Sequence, residues 1–569
     1  MSNSAPLIRR RAPGDPSRLP NELHPVVRRA YAARGVSDPA HLPLDFRALL
    51  PPGGLMGIEA ASGLLMDALL AQRRIVIAGD YDADGATATA VAVLGLRALG
   101  AASVDYVVPN RFTMGYGLSP ALTEMALARG AGVLVTVDNG IASLAGVEAA
   151  NAAGLPVLIT DHHLAGDRLP AAAAIVNPNQ PGCAFASKHL AGVGVMFYVL
   201  LALRARLREA GYFASRPEPN LADLLDLVAL GTVADVVRLD HNNRILVAQG
   251  LARIRAGRAR PGLQALLQAA GRAPTHISCG DLGFILGPRL NAAGRLEDMT
   301  VGIECLLASS VDQARALAAQ LDALNRERRD IEAQMRDEAL ELAASNDAVG
   351  VCLFDTGWHE GVVGLVASRI KDRLHRPVIA FARAAEEGML KGSGRSIRGL
   401  HLRDALAVVD TRHPGLILRF GGHAMAAGLT LPEAALEAFS GAFDAACRER
   451  LDGDALEQVL ETDGELAGAE LQLQAARALE QAGPWGQGFL EPVFEGRFEV
   501  VETRALGAEG RHIKYRLRLP DGGQVEAMHF NGAEHLAGRG SARLVYSLGV
   551  NRFRGAEELE LRVLDIRSG

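Results

Sequence analysis

The sequence predicts an α/β chain of several domains: a parallel-sheet unit, a long joining helix, a second α/β unit and a small C-terminal β-barrel. Three observations carry this. Short continuous apolar runs alternate with alanine-rich segments early in the chain. A long stretch without glycine or proline follows, and the C-terminal region then changes to alternating apolar and charged residues. At 569 residues the chain is too long for one ordinary core.

Residues 1–45 read as an N-terminal segment. Its Arg9, Arg10 and Arg11 precede Ala-Pro-Gly-Asp rather than an apolar signal core, so no secretory signal is evident. Residues 46–305 contain the runs Arg74–Ala78, Gly132–Val137 and Pro156–Thr160. Apolar runs of this kind, separated by helix-like Ala86–Leu99 and Leu144–Ala153, indicate parallel strands covered on both faces. The longest apolar run, Leu190–Leu203, is shorter than the roughly 20 residues a bilayer requires and reads as a buried helix. Residues 306–345 form a linker helix: Leu317, Leu321, Leu324, Ile331, Met335 and Leu342 recur at three- and four-residue steps, interrupted by Arg328. The repeat is short and broken, so a monomer is expected rather than a coiled-coil dimer.

Residues 346–455 form the second α/β unit, with strands Gly350–Phe354 and Pro377–Phe381 around a helix Gly361–His375. In residues 456–569, strands are expected at Val493–Val501, His512–Leu519, Gln524–Phe530, Arg543–Phe553 and Leu559–Ile566, with a turn at Pro520-Asp521-Gly522-Gly523. About five such strands suit a closed barrel such as an OB-fold.

Composition narrows the class. Nearly half the residues are apolar and 22% are charged, a soluble globular balance with no membrane span. Five scattered cysteines without a Cys-x-x-Cys pair exclude a disulfide framework or zinc knuckle and favour a cytoplasmic, reduced protein. A net charge of −6 gives no whole-protein argument for nucleic acid, although Lys and Arg crowd the segment Arg369–Arg403.

Chemistry concentrates in four runs: Gly79–Gly85 (GDYDADG), Val137–Gly140 (VDNG), Thr160–His163 (TDHH) and Gly231–Val236 (GTVADV). They supply Asp80, Asp82, Asp84, Asp138, Asp161, His162, His163 and Asp235. The first three lie just past predicted strand ends, where open α/β sheets place ligands. Unpaired carboxylates at the ends of apolar elements are costly, and divalent cations remedy this. Many oxygens with one or two imidazoles suit Mn²⁺ or Mg²⁺ better than structural zinc. Asp80, Asp82 and Asp84 are expected to fan around a metal from a loop, with Asp138 and Asp235 completing a shell and Asp161 orienting the imidazoles. Two ions at about 3.5–4 Å would suit phosphoryl transfer.

These motifs resemble those of the DHH phosphoesterase superfamily, named for the Asp161-His162-His163 type of triplet. Further matches are Leu190–Phe197 (LAGVGVMF), Gly287–Glu297 (GPRLNAAGRLE), Trp358–Ser368 (WHEGVVGLVAS), Lys391–Ser396 (KGSGRS) and Gly421–Gly428 (GGHAMAAG). With its length and barrel, the chain is most similar to the superfamily's bacterial single-strand-specific 5′→3′ DNA exonucleases. The resemblance implies a DHH domain, a DHHA1-type substrate domain and a nucleic-acid-binding barrel. It implies metal ligands Asp82, Asp84, Asp138, His162 and Asp235, with Asp138 bridging, and places Asp80 and His163 near the metals or the scissile phosphate. The pyrophosphatase branch carries a histidine where this chain has Ala78, so an oxygen-rich first metal shell helped by Asp80 is expected.

The same resemblance assigns Arg111, Ser393 and Arg395 to a 5′ phosphate, which forked guanidinium donors and a hydroxyl suit. Gly421, Gly422 and His423 would bring backbone N–H groups and an imidazole to a phosphate, or serve a tight turn. Arg289, Asn291 and Arg295 either contact DNA or staple two domains together. Lys514, Arg516 and Arg518 on one strand face, near Tyr515 and His512, fit a groove tracking a DNA backbone. Trp485 is expected to pack at a domain junction.

The expected activity is metal-dependent release of 5′-mononucleotides from single-stranded DNA, in recombination and repair. A phosphodiesterase for short oligonucleotides or cyclic dinucleotides, a pyrophosphatase, or a catalytically silent DNA-binding scaffold are the alternatives. Single-strand-binding protein and a repair helicase are partners implied by resemblance alone.

Overall fold

A computed structural model describes residues 6–344, 347–507, 510–519, 522–533, 538–552 and 555–568. Strand β1 (Leu7–Arg10) begins the chain, and the first sheet follows from β2 (Ile75–Ala78), β3 (Val104–Val107), β4 (Val133–Val137), β5 (Val157–Thr160) and β6 (Ala174–Val176). All its pairs are parallel, in the order β3-β2-β4-β5-β6. Every residue of β2, β4 and β5 is buried, which is why those strands read as unbroken apolar runs. The order reverses direction at β2, so a crevice opens beyond the C-terminal ends of β2 and β4, the switch point at which doubly wound sheets bind ligands.

Under that crevice runs a buried polar seam. Thr160 Oγ1 donates to the Thr136 carbonyl (2.7 Å), Thr136 Oγ1 to the Asn139 carbonyl (2.7 Å), and Asn139 Nδ2 to the Ala78 and Val137 carbonyls (3.1 and 2.9 Å). These bonds satisfy backbone where the strands stop pairing, and so fix the loops that carry the acidic motifs.

The linker helix runs over Val311–Ala344 to the last described residue of that stretch, and the expected boundary, Ser345, lies outside the described residues. Arg328 interrupts its apolar pattern for a physical reason. It is buried, and donates to Glu332 Oε2 (2.5 Å) and Asn325 Oδ1 (2.8 Å). Glu332 also accepts from Arg369 Nε (2.8 Å), on the helix Val363–Leu374, so the break in the repeat is a polar joint between linker and second domain.

The second sheet contains β7 (Val351–Phe354), β8 (Val378–Arg383), β9 (Met389–Arg395), β10 (Arg419–Gly422) and β11 (Ala426–Pro432), ordered β10-β11-β9-β8-β7, with only β7 and β8 parallel. Strand β12 (Val459–Thr462) pairs with β1 and ties the N-terminus to the start of the C-terminal domain. The barrel closes as β13 (Phe494–Leu506), β14 (His512–Arg518), β15 (Gln524–His529), β17 (Glu558–Ser568) and β16 (Gly540–Asn551). This is the five-stranded closed barrel of an OB-fold. Positions 520 and 521 of the expected turn lie outside the described residues.

Trp485 packs at the junction, stacked on Phe489 (5.1 Å between centroids), with its indole N–H on the Leu479 carbonyl. Beside it Arg34, only 2% exposed, makes a two-pronged bond to Asp463 (2.8 and 3.0 Å). Arg34→Ala would leave that buried carboxylate with only the Val493 N–H (3.0 Å) and a distant Arg11 (3.9 Å). The expected loss is about 3–5 kcal/mol of stability in denaturant titration of the full chain.

Candidate metal centre and phosphate pocket

The helix Ala83–Ala98 starts inside the first motif. Asp82 caps it, accepting from the Gly85 N–H (3.0 Å), and Asp84 lies in its first turn. The expected loop is therefore a strand-to-helix corner, because Asp82 satisfies helix N–H groups that a longer loop would leave open. Asp84 accepts from the Gly192 and Val193 N–H groups (2.6 and 2.9 Å), where the helix Gly192–Glu209 begins. A Cβ on Gly192 would stand 2.5 Å from the Asp138 Cβ, so that helix start must be glycine to approach the centre. Asn291 accepts from the Ala83 N–H (2.7 Å), which holds the corner from a third side.

The side chains then converge. Asp80, Asp82 and Asp138 place one oxygen each within 4.8 Å of one another; Asp84, His162 and Asp235 do the same, as do Asp138, His162 and His163. His162 Nε2 lies 3.0 Å from Asp138, 3.4 Å from Asp235 and 3.9 Å from Asp84. Asp138, which is shared between two of these groups, sits at φ 61°, left-handed backbone that turns its side chain into the crevice. The first group is all oxygen and includes Asp80.

Asp161 acts differently. Its Oδ2 accepts from the Ile141 N–H (2.9 Å), and its Oδ1 accepts from the His162 and His163 N–H groups (2.7 and 3.1 Å) and contacts His163 Nδ1 at 2.7 Å. It therefore fixes the backbone of both histidines and the ring of His163, the role a carboxylate behind a ligating imidazole would play. Asn179 and Asn177 donate to the carbonyls of His162 and His163 (2.6 and 2.9 Å) and pin the same loop.

Electrostatics identify what the cluster wants. Burial, then Asp82, pushes Asp80 well above the carboxylate range; burial, then Asp84, does the same to Asp138. Asp84 is pushed up to about 7 by burial and Asp235, and Asp235 to about 8 by burial and Asp82. Burial lowers His162, keeping its imidazole neutral. Asp80 Oδ1, Asp138 Oδ1 and His162 Nε2 are buried with no hydrogen-bond partner. Oxygen-rich, crowded and unsatisfied, this donor set fits divalent cations.

A cavity of about 340 Å³ adjoins the centre, lined by Tyr81, Arg111, Arg295, Gly364, Ser393 and Arg395 among others. Tyr81, between Asp80 and Asp82 in the chain, carries the Arg111 guanidinium over its ring at 4.2 Å. Arg395 donates to Ser393 Oγ (3.1 Å) and to the Gly394 carbonyl (2.8 Å). Burial and the neighbouring Arg111 and Arg395 bring Arg295 down to about 9, so these guanidinium groups crowd one another as an anion site would require. Gly364 leaves the space: a Cβ there would stand 2.7 Å from Ser393 Oγ and 3.0 Å from Arg395 Nη2.

Other expected residues are tied to neighbouring elements, Arg295 while also lining the pocket. Arg289 bonds Asp322 on the linker helix (3.0 Å) and the Ile285 carbonyl (2.7 Å), and Arg295 donates to the Gly361 carbonyl (3.1 Å). Both therefore join elements. His423 stacks on His163 at 6.0 Å, but its own N–H is spent on the Ala426 carbonyl (2.8 Å). Gly422, at φ 140°, has room for no Cβ against Ala426 and Ala427, which is a hairpin requirement. On the barrel, Lys514 pairs with Glu526 (2.6 Å), Arg516 with Glu502 (2.7 Å) and Arg518 with Glu499 (2.8 Å). The cationic face expected along β14 is thus a ladder of surface ion pairs. Tyr81, Asn139 and Gly364 were not singled out by the sequence, and only Tyr81's place between two ligand candidates could have marked it.

Family profiles match along the chain: the DHH family N-terminal domain over residues 74–232, the DHHA1 domain over 346–449 and the RecJ OB domain over 462–565. The single-stranded-DNA-specific exonuclease RecJ of Dickeya dadantii is 54% identical, covering 97% of this chain and 98% of its own; that of Escherichia coli is 51% identical, covering 98% of each. The chain belongs to the RecJ family. Among solved RecJ structures, that of Thermus thermophilus with Mn²⁺ has a TM-score of 0.81 at 33% identity, covering 96% of this chain and 76% of that one. The same protein with Mg²⁺ gives 0.75 at 32% identity, covering 96% and 75%. This RecJ-family chain carries acidic and histidine clusters able to hold such ions, on a fold shared with structures that contain them.

Proposed function

We propose that this single-stranded-DNA exonuclease works from the 5′ end, releasing 5′-mononucleotides at a two-metal centre, in DNA recombination and repair. Asp80, Asp82 and Asp138 would hold one ion, and Asp84, His162 and Asp235 with Asp138 the other. Divalent ions bound there supply charge neutralisation and polarise water and the phosphoryl oxygens. His163, gripped by Asp161 and touched by the Tyr116 hydroxyl (3.0 Å), presents its imidazole at the rim beside the scissile phosphate. The observation that carries the direction is the cationic pocket next to the centre. Tyr81 links the two in one corner of backbone, so a terminal phosphate held by Arg111, Ser393 and Arg395 would leave the next phosphate at the carboxylates.

The barrel extends the substrate path. Register places Arg504, Lys514, Met528 and Arg562 in one row across four strands, and Glu502, Arg516, Glu526 and Glu560 in the next. A polyanion would follow the first row and avoid the second. Arg504→Glu with Arg562→Glu is expected to raise KM for a 40-nucleotide strand roughly tenfold, and Arg516→Glu with Arg518→Glu much less, when KM is titrated against salt.

The pocket makes a sharper test. Gly364→Ala is expected to raise KM for 5′-phosphorylated strands about tenfold while sparing 5′-hydroxyl strands, because the added methyl meets Ser393 and Arg395. The activity itself is tested with Mn²⁺ on a long single strand, a blunt duplex and a dinucleotide. Faster turnover of the long strand supports the reading; preferred turnover of the dinucleotide would favour a short-oligonucleotide phosphodiesterase.

A further inference from the structure

The loop that follows Asp235 is closed by a segment from far along the chain. Asp235 stands at the end of the helix Leu225–Ala234, its N–H on the Gly231 carbonyl (2.9 Å). Its side chain is 23% exposed, against 0% for Asp84 and 2% for Asp138, so the loop backbone does more to place it than packing does. Val236, next in the chain, has φ 59°, left-handed backbone that a β-branched residue rarely adopts. Strain of this kind persists only where the surroundings hold the chain from several sides. One side is internal. Buried Asn243 donates from Nδ2 to the Arg238 and His189 carbonyls (2.9 and 2.6 Å), and Asp240 accepts from Ser187 Oγ (2.7 Å).

The other side is a tight turn at residues 486–489, where Gly486 and Phe489 exchange both backbone hydrogen bonds (3.0 Å each). The Leu239 N–H donates to the Gln487 carbonyl at 2.7 Å. A Cβ on Gly486 would stand 2.7 Å from Leu239 Cδ1, and one on Gly488, at φ 72°, only 2.4 Å from Arg238 Cγ. The two glycines therefore let the turn lie directly on the loop. Phe489 carries the guanidinium of buried Arg244 over its ring at 3.9 Å, and Arg244 Nε and Nη2 have no hydrogen-bond partner among the described residues. A buried cation with two unbonded nitrogens depends on that ring face, which fastens the turn further. Residues 490–493 then lead to Phe494, where β13 and the barrel begin.

We infer that the turn at residues 486–489 is a positioning element for Asp235, so that the C-terminal domain helps to complete the metal centre as well as extending the substrate path. The inference rests on the two-metal reading and deepens it, by making the affinity for the ion at Asp84, His162 and Asp235 depend on a contact made from the barrel side. Displacing the turn removes the hold on Leu239, and the strained backbone at Val236 relaxes and carries Asp235 with it.

Calorimetric titration of the full chain with Mn²⁺ tests this, alongside melting temperature and hydrolysis of a 5′-phosphorylated single strand. The wild type is expected to bind two ions. Gly488→Ala is expected to weaken one of them about tenfold and spare the other, raising the Mn²⁺ concentration needed for turnover without changing KM for DNA. Gly486→Ala, which meets only the movable end of Leu239, is expected to weaken the same ion about threefold and keeps the question open to measurement if the first variant does not fold. Adding Arg238→Ala to Gly488→Ala removes the side chain that the new methyl meets, and most of the lost affinity is expected to return. Trp485→Phe gives up the bond to the Leu479 carbonyl but keeps a ring beside Phe489, and is expected to melt lower with both affinities unchanged. Wild-type affinities in both glycine variants, no recovery in the double variant, or an equal loss in Trp485→Phe would each overturn the positioning role. A wild type that binds a single ion would instead overturn the two-metal reading and this inference with it.

Discussion

Asp138→Asn is expected to lower Mn²⁺-supported hydrolysis of single-stranded DNA by about 10³-fold. Asp138 is shared between two of the three ligand groups, stands 3.0 Å from His162 Nε2, and has a buried oxygen without a partner. The same substitution is expected to raise the melting temperature of the metal-free protein. Burial and the neighbouring carboxylates hold the Asp138 carboxyl well above its ordinary range. An acid raised in the folded state loses stability as pH climbs from its unfolded value toward its folded one, so on the way up from acid pH this carboxyl works against the metal-free fold. Mn²⁺ should stabilise the wild type strongly and the variant little, by the linkage that favours any state able to bind a ligand. Calorimetry with and without Mn²⁺ checks both halves. A variant that is less stable without metal would mean that Asp138 is a structural residue.

The second large effect is at the 5′ end. Arg395→Ala is expected to raise KM for a 5′-phosphorylated strand about 10–100-fold and to leave a 5′-hydroxyl strand nearly unchanged. Arg395 is half-buried, bonded to Ser393 Oγ (3.1 Å), and desolvation together with the neighbouring Arg111 lowers its pKa. Removing one of several guanidinium groups relieves that crowding, so the fold should survive and the loss should appear in substrate binding. Equal rises in KM for both strands would place Arg395 on the DNA backbone generally and not on the terminal phosphate.

How legible the fold was depended on what fills each face. Strands β2, β4 and β5 are buried on both sides by aliphatic residues, so their runs are explicit. Strand β9 was missed because its inward positions are Leu390, Gly392 and Gly394, and neighbours fill the space the glycines leave: Phe381 against Gly392 and Leu402 against Gly394. Edge strand β6 has three residues, and β3 carries Asp105 and Tyr106 on a half-exposed edge, so neither shows a period. The acidic motifs supplied the side chains that the fold brings together as candidate ligands, since carboxylates past strand ends have few other uses. They did not show that Asp82 caps a helix or that Asp84 anchors another. Those roles depend on N–H groups that only the packed helix ends supply. Arg289 was open between DNA and a domain staple, and Lys514 and Arg516 were expected in a DNA groove; their acid partners Asp322, Glu526 and Glu502 lie too far along the chain for any local pattern to pair them.

The most direct measurement of the central claim is a Mn²⁺ time course on a single strand labelled at one end or the other, with products separated by size. A 5′ label is expected to leave at once as mononucleotide, while a 3′ label persists on a strand that shortens one nucleotide at a time. Early loss of the 3′ label, or the appearance of internal fragments, would contradict the account.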